Sequence, residues 1–149
     1  MIINAINGNP LPVYGAGKNI RDWLYVLDHC EAIFTVLYKG KVGHTYNVGG
    51  GNEMKNLEVV EMICGFLDKL LPKGRSKSYK DLINFVEDRP GHDFRYAIDS
   101  TKINSKLGWY PKESFESGLE KTIKWYIENE EWWGSIFKDE TNQKRLGIL

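Results

Sequence analysis

Between Leu57 and Leu71 the apolar residues Leu57, Val60, Cys64, Leu67 and Leu71 recur every three or four positions, and Pro72 with Gly74 closes the run. That spacing puts all five on one side of an amphipathic helix of roughly four turns. A stripe of that length must be covered, and a chain of 149 residues has room for one such core by the usual prior of roughly 100–200 residues per domain. Two further segments offer matching faces. Ile2, Ile3 and Ile6 lie at helical spacing before Gly8, and Phe115, Leu119, Ile123, Tyr126 and Ile127 predict a helix from about Ser114 to Trp133.

Between these helices the pattern is shorter and strand-like. Pro10–Tyr14 reads as an edge strand, Gly15–Asn19 as a turn, and Ile20–Val26 as a second strand, so the pair reads as a hairpin. Asp28 is placed to cap a helix running to about Lys39, with Ala32, Ile33, Val36 and Leu37 as its apolar stripe and Gly40 as its stop. Thr45–Val48 reads as a buried strand entering Gly49-Gly50-Gly51, and Asn56 as the cap of the central helix. Lys73–Lys80 reads as a mobile surface loop, Ile83–Val86 as a strand, and Asp88–Asp93 as an irregular loop leading to a strand at Tyr96–Ile98. Ser100 caps a short helix ending at Gly108, and the polar tail 138–149 reads as frayed.

Composition narrows the partners. Lys plus Arg and Asp plus Glu balance at 20 each, so no global field favours nucleic acid or an anionic membrane, and an anion must be met locally. No apolar run approaches the roughly 20 residues of a membrane span, and the N-terminus has neither a basic region nor a cleavage site, so the expected location is cytoplasmic. Cys30 and Cys64 each fall among apolar residues and read as small buried hydrophobes. With only His29, His44 and His92 besides, no metal site is expected.

Four patterns bear on chemistry. Tyr14 and Lys18 form a Tyr-x-x-x-Lys spacing, but Gly15-Ala16-Gly17 makes a turn there, and a turn does not stack residues i and i+4. Tyr46–Gly51 starts like a dinucleotide fingerprint, yet Met54 stands where the third glycine belongs and no acidic residue ends a following strand, so a tight bend is the better reading. Arg21, Arg89 and Asn56 together offer two guanidinium forks and a helix N-terminus, the ingredients for holding a pyrophosphate without net positive charge. Among the aromatics Tyr14, Trp23 and Tyr25, Tyr14 at a strand end is the best candidate to face a ligand. Trp109, Trp125, Trp132 and Trp133 read as packing or as a domain interface.

Pro10–Gly15, Arg21–Val26 with Asp28-His29, Thr45–Gly50, Asn52-Glu53 with Lys55-Asn56, and Asp88-Arg89-Pro90-Gly91-His92-Asp93 in combination resemble the extended short-chain dehydrogenase/reductase family. Within it the nearest likeness is to the dTDP-glucose 4,6-dehydratases. Arg95–Asp99, Lys106–Trp109 and Phe115–Gly118 extend the resemblance to about Trp133, and the epimerases rank second.

The resemblance implies an α/β fold: the small substrate-binding domain of an extended short-chain dehydrogenase, with short strands and amphipathic helices, plus a helix and strand left from a Rossmann sheet. Residues 1–149 would be the C-terminal nucleotide-sugar-binding domain, without the N-terminal NAD-binding one. It further implies a dTDP-sugar site lined by Pro12, Tyr14, Arg21, Asn56, Arg89 and His92, with the arginines at the pyrophosphate and Tyr14 toward the nucleotide. The implied chemistry is oxidation at sugar C4 by NAD, loss of water across C5–C6 and return of hydride to C6. The resemblance places its catalytic residues and the NAD site outside this sequence, so the chain alone is expected to be inactive. Two alternatives stay open: part of a UDP-sugar epimerase or decarboxylase, and a non-catalytic sugar-nucleotide module working with a separate NAD-binding chain. In either form the helix after Asp28 and the strand before Gly49 would lack their sheet, and self-association or local rearrangement is expected.

Overall fold

The computed structural model describes residues 1–72 and 78–137. The expected loop at 73–77 and the tail 138–149 lie outside the described residues. The first helix, α1 (Ile2–Asn7), ends at Gly8 in the left-handed conformation, as its position after the isoleucines predicts. Strand β1 (Leu11–Tyr14) follows, and its period-2 pattern buries Leu11 and Val13 while leaving Pro12 and Tyr14 half-buried on the other face.

The expected hairpin does not form. β1 pairs in parallel with β4 (Ile83–Val86), whereas β2 (Ile20–Asp22) pairs antiparallel with β3 (Glu53–Lys55). The turn between β1 and β2 explains this, because its polar groups bond to other segments. Gly15 N–H donates to the Val86 carbonyl, and the Gly17 and Asn19 carbonyls accept from Leu57 and Asn56. β2 is also shorter than expected: Trp23 N–H donates to Asn52 and the chain turns into helix α2 (Val26–Lys39).

Helix α3 (Asn56–Leu70) is the predicted central helix, and Val59, Val60, Ile63, Cys64 and Leu67 are buried on it. Asn56 is its first residue and not its cap; Glu58 caps it, accepting from the Lys55 backbone at 3.0 Å. The α3 stripe packs with Ala5 and Ile6 of α1, Leu11 and Val13 of β1, Tyr79 in the 3-10 turn Tyr79–Leu82, and Ile123 of α5 (Phe115–Glu128). The predicted long final helix breaks at Asn129, and α6 (Glu130–Phe137) folds back so that Trp133 Nε1 donates to the Tyr126 carbonyl. Cys64 lies in this core, and burial pushes its thiol up to about 11. Cys30, by contrast, is exposed, which corrects the reading of both cysteines as core.

A second, smaller cluster joins Ala32 of α2, Ile103 of α4 (Thr101–Leu107) and Trp109, with Tyr46 and Val48 packed against it. Thr45–Val48 is not a strand: a strand exists only with a partner for its backbone groups, and none of the described segments pairs with it. For the same reason Tyr96–Ile98 forms no strand, its backbone meeting β2 at the Ile20–Arg95 bridge. Asp28 lies inside α2 and does not cap it. Its carboxylate is buried and accepts from the backbone N–H groups of Lys112 at 3.1 Å and Glu113 at 3.0 Å, fastening α2 to the entry of α5. The opposite face of α2 is uncovered: Leu27, Ile33, Phe34, Leu37 and Tyr38 are exposed, with the rings of Phe34 and Tyr38 stacked at 6.4 Å. No helix among the described residues is long and apolar enough to cross a membrane.

Candidate functional site

The site is built around the turn Gly15–Asn19. Gly15 and Gly17 both have positive φ, so the chain leaves β1 without a helix, and Tyr14 and Lys18 share no helix face. An added Cβ at Gly17 would lie 2.7 Å from Leu57 Cβ and 2.8 Å from Val13 Cγ1. Only glycine lets the end of β1 press this closely against the start of α3. On its other side the turn meets the loop 88–93: the Asp88 carboxylate is stacked on Gly15, and Asn19, itself buried, donates to the Asp93 carbonyl at 3.3 Å.

Three chain segments far apart in sequence therefore converge, and they carry the candidate residues. The Tyr14 and His92 rings meet edge to face at 5.8 Å, and His92 Nδ1 bonds Asp88 at 2.6 Å with its imidazole almost fully covered. Arg21 projects from β2 to the same loop. Its Nη2 donates to the Asp93 carbonyl at 2.9 Å, and its guanidinium carbon lies 4.5 Å over the Tyr96 ring. Arg89 is exposed in the loop, and Arg21 and Arg89 both act electrostatically on the Tyr96 hydroxyl. Asn56 is tied in by its backbone, donating to Asn19 at 2.9 Å. Pro12 shares the Tyr14 face of β1 and belongs to the group by strand position alone.

The electrostatics follow from these contacts. The His92 hydrogen bond holds the Asp88 carboxyl below its ordinary range, with a backbone bond from Arg89 helping and desolvation opposing. A carboxyl whose folded value is lowered stabilises the fold above its unfolded value of about 3.9 and stops doing so as pH falls through the lowered one. The urea midpoint of wild type is therefore expected to exceed that of Asp88→Asn near pH 7, with the difference shrinking below about pH 4. A difference that stays constant in acid would remove the His92 bond from the account. The Tyr96 phenol is raised, first by its hydrogen bond to Asp93, then by desolvation, while the two arginines pull the other way.

Gly49 and Gly50 pack closely against other parts of the chain. A Cβ at Gly50 would lie 2.1 Å from the Trp23 carbonyl oxygen, and one at Gly49 would lie 2.6 Å from Asp22 Oδ2. Asp22 accepts from Gly50 N–H and Asn52 N–H, each at 2.8 Å, and so clamps the loop onto β2. At Gly49 and Gly50 the residues present do not fit a dinucleotide cradle, because the space these two glycines leave is filled by Asp22 and Trp23. Trp23 packs edge-on against Phe115, and Tyr25 lies against Gly118, so both belong to the packing.

The sequence reading gave no role to Asn19, Asp22, Asp88, Asp93 or Tyr96. One signal was present: the short polar side chains Asn19, Asp88 and Asp93 lie within three residues of Gly17 or Gly91 and are suited to bonding nearby backbone. Their partners lie as far as 74 residues away, as with Asn19 and Asp93, and no local spacing encodes that.

Residues 1–122 match the GDP-mannose 4,6 dehydratase family. The chain is 53% identical over 149 residues to a dTDP-glucose 4,6-dehydratase of Neisseria meningitidis, covering 99% of this chain and 42% of that protein. Its fold superposes on the dTDP-glucose 4,6-dehydratase of Bacillus anthracis, solved with NAD, with a TM-score of 0.77 and 49% identity over 90% of this chain and 40% of that one. An NAD-bound double mutant of the Streptomyces venezuelae dTDP-glucose 4,6-dehydratase gives 0.79 and 39% identity, over 90% of this chain and 39% of that one. The chain thus spans about two-fifths of the length of the relatives it matches.

Proposed function

The chain belongs to the GDP-mannose 4,6 dehydratase family, within the extended short-chain dehydrogenases, and from that premise we propose that it supplies the nucleotide-sugar half of a dTDP-glucose 4,6-dehydratase site. The observation that carries the reading is Arg21 lying over the Tyr96 ring and bonded to the Asp93 carbonyl, on the loop that bears the exposed Arg89 and whose His92 packs against Tyr14. Two guanidinium groups beside an aromatic pair suit a diphosphate joined to a base. Pro12 and Asn56 complete the proposed lining at the strand face and the α3 N-terminus. NAD, in this reading, is held by residues other than these, and the exposed face of α2 with the unpaired segment 45–48 supports an NAD-binding unit covering them.

Calorimetric titration with dTDP and UDP tests the site. We expect tighter binding of dTDP, and Arg89→Ala is expected to lose about 1.5–3 kcal/mol of it, the range for hydrogen bonds to charged groups. Equal dTDP affinity in wild type and variant would remove Arg89 from the site, and a preference for UDP would favour the epimerase or decarboxylase reading. Incubation with dTDP-glucose and NAD is expected to give no 4-keto-6-deoxy product from this chain alone. A single monomeric species in sedimentation, binding no hydrophobic dye, would count against a covering unit on α2.

A further inference from the structure

Arg21 is held in a closed ring of interactions that uses only part of its donor capacity. A guanidinium has five N–H donors in a planar fork. In Arg21, Nη1 donates to the Ile20 carbonyl at 2.6 Å and reaches the Phe94 carbonyl at 3.5 Å, while Nη2 donates to the Asp93 carbonyl at 2.9 Å. The guanidinium carbon lies over the Tyr96 ring, 4.5 Å from its centroid. The ring closes because the Tyr96 hydroxyl donates to the carboxylate of Asp93, the residue whose carbonyl already takes Nη2.

We propose that Asp93 and Tyr96 are positioning residues for Arg21, holding its guanidinium in the orientation in which its remaining edge meets the diphosphate of a nucleotide sugar. This rests on the site reading above. A free arginine side chain carries about 2 kcal/mol of rotamer entropy, and a three-residue strand does little to restrain it. Stacking on Tyr96 fixes the plane of the fork, and the carbonyls of 93 and 94 fix its rotation within that plane. The hydroxyl has a second effect. The Asp93 carboxylate, beside this arrangement, opposes a bound diphosphate, and the Tyr96 bond engages it within the loop. The raised Tyr96 phenol is consistent with a proton that stays on the hydroxyl and keeps donating.

The test uses the full chain, with dTDP and thymidine as probes and 15N NMR of the arginine side chains. Tyr96→Leu is expected to weaken dTDP binding about tenfold while leaving thymidine binding unchanged, and Tyr96→Phe, which keeps the ring, to lose about threefold. In an Arg21→Gln background, Tyr96→Leu should have no further effect, because its action runs through the guanidinium. A merely structural Tyr96 predicts equal losses for both probes and additive effects in the double variant, and either result overturns the proposal. Without ligand, wild type should show separate, slowly exchanging Arg21 Nη signals that collapse to an average in Tyr96→Leu. If wild type binds no dTDP, the site reading fails, and the Nη signals still decide the positioning: resolved signals lost in Tyr96→Leu uphold it, and averaged signals in wild type refute it.

Discussion

Replacing Gly17 by alanine is expected to destabilise the protein by about 2–5 kcal/mol, the sum of a left-handed backbone penalty and an overpacking term. Both causes are present at this residue. Its φ is +67°, and the added methyl would fall within 2.8 Å of both Leu57 Cβ and Val13 Cγ1, two side chains packed where β1 and α3 meet. Relief would require the end of β1 to move away from the start of α3, which would also shift Tyr14 relative to Arg21 and Asn56. Gly108 separates the two causes, since its φ is +69° with nothing within 4 Å of the missing Cβ. Gly108→Ala should cost only about 1–2 kcal/mol. Urea unfolding of the two variants makes the comparison, and equal losses would mean that the close approach of β1 and α3 is not under steric pressure.

Asp28→Ala is expected to cost about 2–5 kcal/mol, because it strips the acceptor from two part-buried backbone N–H groups at up to roughly 3 kcal/mol each. Both bonds reach Oδ2 from Lys112 and Glu113, and together they tie α2 to the start of α5 across more than half the chain. Asp28→Asn keeps one carbonyl oxygen that both donors can share, so it should recover much of the loss. Calorimetric melting together with hydrogen exchange of the Lys112 and Glu113 amides reads both parts. Protection at those two amides that survives in the alanine variant, with stability within about 0.5 kcal/mol of wild type, would show that the bonds do not secure this junction.

Asp28 also marks where sequence reading reached its limit. An aspartate near the beginning of a helical pattern is first a capping candidate, and the alternative, a buried carboxylate serving a segment more than eighty residues away, leaves no periodic trace. Asn56 illustrates the same point, since the cap its side chain suits is supplied by Glu58. The glycine-rich stretch at 49–51 was legible as a tight bend, but not the reason for it, which is the carboxylate of Asp22 and the carbonyl of Trp23 occupying the space. Of the candidate site, Arg21, Arg89 and His92 were visible as residue types in suitable places, while Tyr96 and Asp93, which hold Arg21, were not.

What the sequence determined by itself was local: the α3 stripe, the glycine stop of α1, the turn at Gly15–Asn19 and the irregular course of 88–93 follow from side-chain periodicity and backbone preference within a few residues. Only the tertiary structure decided which strand pairs with which, that 45–48 stays unpaired, and that Arg21 bonds the Asp93 carbonyl 72 positions away. Strand pairing and charge clustering are satisfied by whatever partner the packed chain delivers. That delivery depends on where α3 seats its apolar face, which is a property of the whole core and not of any one segment.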